Sequence, residues 1–223
     1  MEGARGAGLF AEDNFNYYLF EKEENKNEQP RLVDMAKKAL AALKKQHNDN
    51  GFYLMIEGGV IDLAEHDNMM HPAAEELSEF SIAIDEIRKL VDEDTLIVVT
   101  ADHGHALTLP GYVQKSNSIY NAEVEEEDMN VDGLPVPSIH FANGPGYSSS
   151  RTYTAEQAAD SHFKHPAAYP AVWGAHAGED VGIWAQGPYS WLFSGSIENT
   201  QVAFTIKFLL CLDKSESSLC DIR

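Results

Sequence analysis

Three short stretches of this 223-residue chain carry side chains able to hold a metal ion. Asp102 and His103 are adjacent in Thr100-Ala-Asp-His-Gly-His105, one hard carboxylate oxygen beside one imidazole nitrogen. Asp62 and His66 are four positions apart, so one helical turn can aim both at a single ion. His176 lies in Gly174-Ala-His-Ala-Gly-Glu-Asp180, where small residues let the backbone approach a ligand closely. One Asp and two His with a position left free is the composition of a catalytic zinc site rather than a closed structural one. Singly, each has a plainer reading. An Asp and a His four apart recur by chance, and His176 alone reads as a surface-loop histidine.

Chemistry of this kind needs a scaffold. Leu96–Val99 is a continuous, β-branched apolar run, the pattern of a strand covered on both faces, and the Asp102-His103 pair begins just past it. Ligands of open α/β sheets bind beyond the carboxyl ends of the strands. Phe52-Tyr-Leu-Met-Ile56 repeats the design, with Glu57 at its tip and Asp62 and His66 soon after. One helix is expected from Pro30, with Leu32, Met35/Ala36, Ala39/Leu40 and Leu43 at helical spacing. A second is expected from Pro72, with Leu77, Phe80, Ile84, Ile87 and Val91 as its inner stripe. Strand, helix and strand predict a right-handed βαβ unit whose parallel strands end on one edge, with Glu57 and Asp102 facing one crevice. The expected class is α/β.

The stretch from Gly111 to Ala175 differs in texture, with an acidic run at 123–128, turn signals, a short strand at 136–141 and many Ser and Tyr. A returning strand at 181–185 and an apolar helix at 196–212, expected to pack on a sheet, follow. The expected organisation is therefore an α/β half-core at 1–110 carrying metal motifs, an inserted loop-rich subdomain at 111–175, and a returning core segment at 176–223.

Bulk properties narrow the function. A formal charge of −20 excludes a nucleic-acid binder, which needs a basic surface to displace counterions. No apolar run reaches the roughly 18–20 residues needed to span a bilayer. The first eight residues lack the apolar core of a signal peptide. Cys211 and Cys220 either close a short terminal loop or are two unpaired thiols.

Glu57-Gly-Gly-Val-Ile-Asp62-Leu-Ala-Glu-His66, Thr100-Ala-Asp-His-Gly-His105 and His176-Ala-Gly-Glu-Asp180 together resemble, in order and interval, the metal motifs of animal alkaline phosphatases. The resemblance runs from about Gly8 to Cys220, and Gly144-Pro-Gly-Tyr147 adds to it. It implies the C-terminal part of an α/β/α sandwich with a mainly parallel sheet and a crown-like subdomain at 111–175. It implies zinc and magnesium as cofactors: Asp62, His66 and His176 for the first zinc, Asp102 and His103 for the second, Glu57 for magnesium. His105 falls where the family has a histidine that orients a ligand or substrate oxygen. Tyr112 matches a tyrosine at the family's homodimer contact, with Pro110 in place of a glycine, and Cys211–Cys220 matches a terminal disulfide. The implied activity is hydrolysis of phosphate monoesters through a phosphoserine, at an extracellular or cell-surface location.

Val60 replaces the family's common arginine, and Leu63-Ala64-Glu65 a His/Gly-rich stretch; neither removes a ligand. The nucleophilic serine, a bridging aspartate, a hydroxyl magnesium ligand and a phosphate-clamping arginine precede these motifs in the family, and the chain is expected to lack them. Ser161, in Ala159-Asp-Ser-His162, resembles an Asp-Ser nucleophile but lies on the wrong side of the zinc motifs. Two alternatives stand beside an alkaline phosphatase: a truncated, non-catalytic zinc-binding or dimerisation protein, and a phosphodiesterase or sulfatase of the same broad superfamily.

Overall fold

Both apolar stripes read as helices fold as helices. The computed structural model describes residues 6–26, 28–46, 51–110, 115–120, 122–123, 136–150 and 152–212. In chain order the helices are α1 (Tyr18–Glu23), α2 (Leu32–Gln46), α3 (Val60–His66), α4 (Met70–Leu90), α5 (Ala155–Ala158) and α6 (Asn199–Leu209). The strands are β1 (Ile97–Thr100), β2 (Gly104–His105), β3 (Leu107–Thr108), β4 (Ala122–Glu123), β5 (Val136–Pro137), β6 (His140–Gly144), β7 (Ala167–Pro170), β8 (His176–Ala177) and β9 (Ile183–Gln186). They fall into two compact units, Met1–Leu90 with His105–Ala177, and Val91–Gly104 with Gly178–Arg223.

In the first unit α4 packs against α1, α2 and α3. Helix α2 buries Val33, Ala36 and Leu40, one face at a spacing of three and four, and full burial of a side chain such as Leu40 contributes about 2 kcal/mol. On α4 the buried positions include Ala73, Ala83 and Ile87, whereas Leu77, expected on the inner stripe, is 54% exposed. Small residues let the neighbouring helices approach, and the inner face follows the alanines rather than the largest side chains. Buried Glu79 is satisfied by a two-point ion pair with Arg31.

Three strands stack β3-β6-β7, the first pair antiparallel and the second parallel. Phe141 of β6 faces Leu107 and Ala167 across the two ladders, and Ile139, Phe141 and Ala167 form a core joined by Met70, Leu107 and Tyr120. The strand expected at 136–141 is two: β5, paired with β4, and β6. Helix α5 starts in a capping box, Thr154 and Gln157 each bonding the other's backbone N–H.

The two strands of the expected βαβ crossover, Phe52–Ile56 and β1, fall in different units. Phe52–Ile56 runs without a ladder partner among the described residues, with Tyr53 and Met55 58% and 65% exposed. In the second unit β1 pairs antiparallel with β9, Ile97 opposite Gln186 through Thr100 opposite Ile183. An apolar run encodes burial, not the identity or direction of its partner. Gly187 closes the turn after β9 at φ +105, where a Cβ would stand 2.2 Å from the Thr95 carbonyl oxygen. Helix α6 forms where expected, but none of its side chains is buried and Phe204 is 69% exposed, so a buried face against a sheet is not seen among the described residues.

Candidate metal centre

Helix α3 is the element that makes Asp62 and His66 neighbours. Gly58-Gly59 breaks the extended segment before it, and Asn68 ends it in the left-handed region at φ 58. The Met69 N–H donates to the Ala64 carbonyl at 2.8 Å and the Asn68 N–H to the Glu65 carbonyl at 3.0 Å, the two bonds of a Schellman closure. An asparagine tolerates that conformation better than most side chains.

The helix end is tied to the loop that carries His176. His66 Nδ1 lies 2.6 Å from the Gly174 carbonyl, while the Gly174 N–H donates to the His66 carbonyl at 2.7 Å. A carbonyl only accepts, so the proton sits on Nδ1 and leaves a lone pair at Nε2, the tautomer a metal ligand needs. Gly174 admits no side chain there, since a Cβ would stand 2.9 Å from Asn68 Nδ2 and 3.0 Å from the Glu65 carbonyl oxygen. Two residues on, His176 Nε2 comes within 3.1 Å of His66 Nε2 and 3.4 Å of Asp62 Oδ1. His105, buried on β2, places Nε2 2.7 Å from Asp62 Oδ1.

Asp62, His66, His105 and His176 thus offer one ligand atom each within 4.8 Å of one another, the only such group among the described residues. Burial works against the Asp62 carboxylate, but the hydrogen bond from His105 and the neighbouring imidazoles outweigh it and hold its pKa below the ordinary value. Burial lowers the pKa of His105, opposed in part by its bond to Asp62. A carboxylate beside three imidazoles is a donor set suited to a divalent cation. The donor separations fit zinc: Asp62 Oδ2 to His66 Nε2 is 3.2 Å, His66 to His176 3.1 Å and His176 to Asp62 Oδ1 3.4 Å. Zinc bonds of about 2.0–2.1 Å in a tetrahedron put ligand atoms about 3.3 Å apart.

The remaining candidates are not members of that group. Glu57, exposed, and Asp62 line a cleft of about 430 Å³ together with Arg31, Glu76 and Glu79. Asp102 and His103 form a pair of their own in the second unit, Oδ2 to Nε2 3.3 Å, with the Asp102 side chain 86% exposed. Ser161 donates to Glu23 Oε2 at 2.9 Å and lies 3.1 Å from His162 Nδ1, outside the metal-capable group. Tyr112 and Cys220 lie outside the described residues, so neither the dimer-contact tyrosine nor the Cys211–Cys220 pairing is described by the structure. No described helix is long and apolar enough to cross a membrane.

Sequence patterns gave no weight to two asparagines that bind the site together. The Asn68 side chain accepts from the Gly146 N–H at 3.0 Å and donates to the Asn143 carbonyl at 3.3 Å. Asn143 Oδ1 accepts from the Ala175 N–H at 2.8 Å. The available signal was Asn68 standing at a helix end, a position that suits a left-handed residue. Nor did the sequence reveal a second cleft, about 930 Å³, that opens beside His66 between Phe15, Tyr17, Phe20 and Trp173.

Comparison with known proteins gives this geometry a family. The alkaline phosphatase family model matches residues 6–212. Alkaline phosphatase 4 of Drosophila melanogaster is 34% identical over 223 residues, covering 92% of this chain and 36% of the relative. The tissue-nonspecific isozyme of alkaline phosphatase from Homo sapiens is 33% identical over 210 residues, covering 92% of this chain and 39% of the relative. The alkaline phosphatase of Gadus morhua is 33% identical over 213 residues, covering 93% and 43%. The chain spans about two fifths of the length of the curated relatives it matches. The crystal structure of a cold-active alkaline phosphatase from the psychrophile Shewanella sp. superposes with a TM-score of 0.52 at 25% identity, covering 80% of this chain and 50% of that one. The fold is accordingly the α/β fold of those enzymes, its histidine-aspartate group is a candidate metal site, and the chain belongs to the alkaline phosphatase family.

Proposed function

We propose that this chain carries the metal-holding half of a phosphomonoester hydrolase, with two zinc ions and one magnesium ion and a phosphoserine route. The observation that carries the reading is the convergence of Asp62, His66 and His176, with His66 locked by the Gly174 carbonyl in the ligating tautomer. Asp62, His66 and His176 hold the first zinc, Asp102 and His103 the second, and Glu57 the magnesium. His105 keeps Asp62 aimed by its hydrogen bond to Oδ1. When bound, these ions supply Lewis acidity to the phosphoryl oxygens and the leaving alcohol. The nucleophilic serine is contributed from outside these 223 residues.

The residues present divide the remaining work. The cleft beside His66 receives the alcohol portion of the monoester against Phe15, Tyr17, Phe20 and Trp173, an apolar wall that excludes water from the leaving group. Tyr17 holds its ring in place by donating to Asp67 Oδ2 at 2.8 Å. Tyr112 at a homodimer contact, a Cys211–Cys220 disulfide and an extracellular or cell-surface location complete the reading by family likeness.

The test is hydrolysis of p-nitrophenyl phosphate by the purified chain, alone and with the N-terminal half of a relative supplied, alongside its zinc stoichiometry. Bound zinc and turnover that depends on the supplied half are expected. Bound zinc without turnover in either case would favour a non-catalytic zinc protein.

A further inference from the structure

The Asn68 side chain touches no candidate ligand, yet every segment that carries or braces the first-zinc residues converges on it. The residue is fully buried, with 0% of its surface accessible. Its backbone closes α3, the helix of Asp62 and His66, and its own carbonyl accepts from the His165 N–H at 2.8 Å. Its side chain reaches three ways: Oδ1 accepts from the Gly146 N–H at 3.0 Å, and Nδ2 donates to the carbonyls of Asn143 at 3.3 Å and Glu65 at 3.4 Å. Asn143 in turn accepts the Ala175 N–H, one residue before His176. Gly144, at φ +138, and Gly174 both have their absent Cβ directed at the Asn68 amide, at 2.1 Å to Oδ1 and 2.9 Å to Nδ2. Two glycines have made room for this one side chain.

We propose that Asn68 is a positioning residue for the first-zinc ligands: its amide fixes how far α3, with Asp62 and His66, stands from the loop that presents His176. A helix cap needs only the left-handed backbone at this position, and glycine supplies that at no steric cost. The side chain is therefore separable from the cap. Its hydrogen bonds act on the backbone of Glu65 in α3 and of Asn143 and Gly146, and Asn143 in turn holds the Ala175 N–H beside His176, so its loss loosens the ligand set without deleting a ligand. Partners behind metal ligands commonly change affinity 10–100-fold. The proposal rests on the assignment of Asp62, His66 and His176 to zinc.

Asn68→Gly keeps the cap and removes the three side-chain bonds. Zinc affinity, measured by competition with a chromophoric chelator, is expected to fall about tenfold or more. In the Asn68→Gly, His176→Ala double variant it is expected to fall no further than in His176→Ala alone, since the two residues act through one ligand. Asn68→Asp, which keeps the acceptor for Gly146 but loses the donor, is expected between parent and Asn68→Gly. A purely structural asparagine would lower the melting temperature and leave zinc affinity at the parent value; that result, or full additivity with His176→Ala, overturns the proposal. Should Asn68→Gly show no cooperative unfolding, Asn143→Ala removes the same relay at its other end, and parent affinity in that variant is equally fatal. Unchanged affinity in both His66→Ala and His176→Ala would instead bring down the zinc assignment itself.

Discussion

Two Asp-His pairs in this chain look alike as sequence and differ sharply as structure. Asp62 and His66 are drawn into a group with His105 and His176, and the second nitrogen of His66 is fixed by a backbone carbonyl at 2.6 Å. Asp102 and His103 face each other at 3.3 Å, the Asp102 side chain is 86% exposed, and His103 Nδ1 lies 3.3 Å from the carbonyl of its neighbour Gly104. A metal-capable pair becomes a site when other elements hold its tautomer and aim, and the first pair has that support within its own unit. The group of three or more metal-capable side chains found among the described residues contains the first pair and not the second.

The difference can be broken most severely at the ligands. His66→Ala or His176→Ala is expected to weaken zinc binding about a hundredfold or more, since a four-ligand zinc site is worth about 10–16 kcal/mol in all and each ligand a fair share of it. Equilibrium dialysis against buffered zinc measures this directly.

A histidine buried away from the metal group sharpens the contrast. His165 is 2% exposed, its Nε2 has no hydrogen-bond partner among the described residues, and burial with His71 nearby pushes its pKa down to about 4. Because the folded value lies below the unfolded one near 6.5, the neutral form is favoured in the fold. Stability is full above pH 6.5 and is lost as pH falls towards 4, by about 3 kcal/mol in all. Unfolding free energies from urea titrations of the zinc-free chain at pH 7.5 and 4.5 should differ by most of that amount, and by much less in His165→Gln. Equal separations in parent and variant would remove His165 as the cause.

Much of the site was legible because it is local. The four-residue spacing of Asp62 and His66 specifies one helix face, and the small residues around His176 mark a close approach of backbone. Asn68 was not legible, because its role comes from Gly146, Asn143 and Gly174, which are distant in sequence. The strand ending before Asp102 could be read from its apolar run, whereas the matching run before Glu57 is extended without a ladder partner among the described residues. The antiparallel pairing of β1 with β9 could not, because a short run such as Ile183-Trp-Ala-Gln186 does not say which strand it pairs with or in which direction. Leu77 and α6 mark the same limit: helical period locates a stripe, while the neighbours present decide whether it is covered.

Smaller effects test the support around the first pair. Tyr17→Phe removes the bond to Asp67, next to His66, and is expected to cost about 1 kcal/mol in a denaturant titration while leaving zinc affinity within a few-fold. Smallest of all should be the effect of the second pair on the first. A chain with both Asp102→Ala and His103→Ala is expected to hold its tight zinc within about threefold of the parent, because neither residue belongs to the Asp62 group.

Zinc stoichiometry and affinity, measured side by side for the parent, His66→Ala and the Asp102→Ala, His103→Ala double variant, test the assignment most directly. One tight zinc per chain, lost in the first variant and kept in the second, is the expected result. No tight zinc in the parent, or equal loss in both variants, would contradict a first-zinc site built on Asp62, His66 and His176.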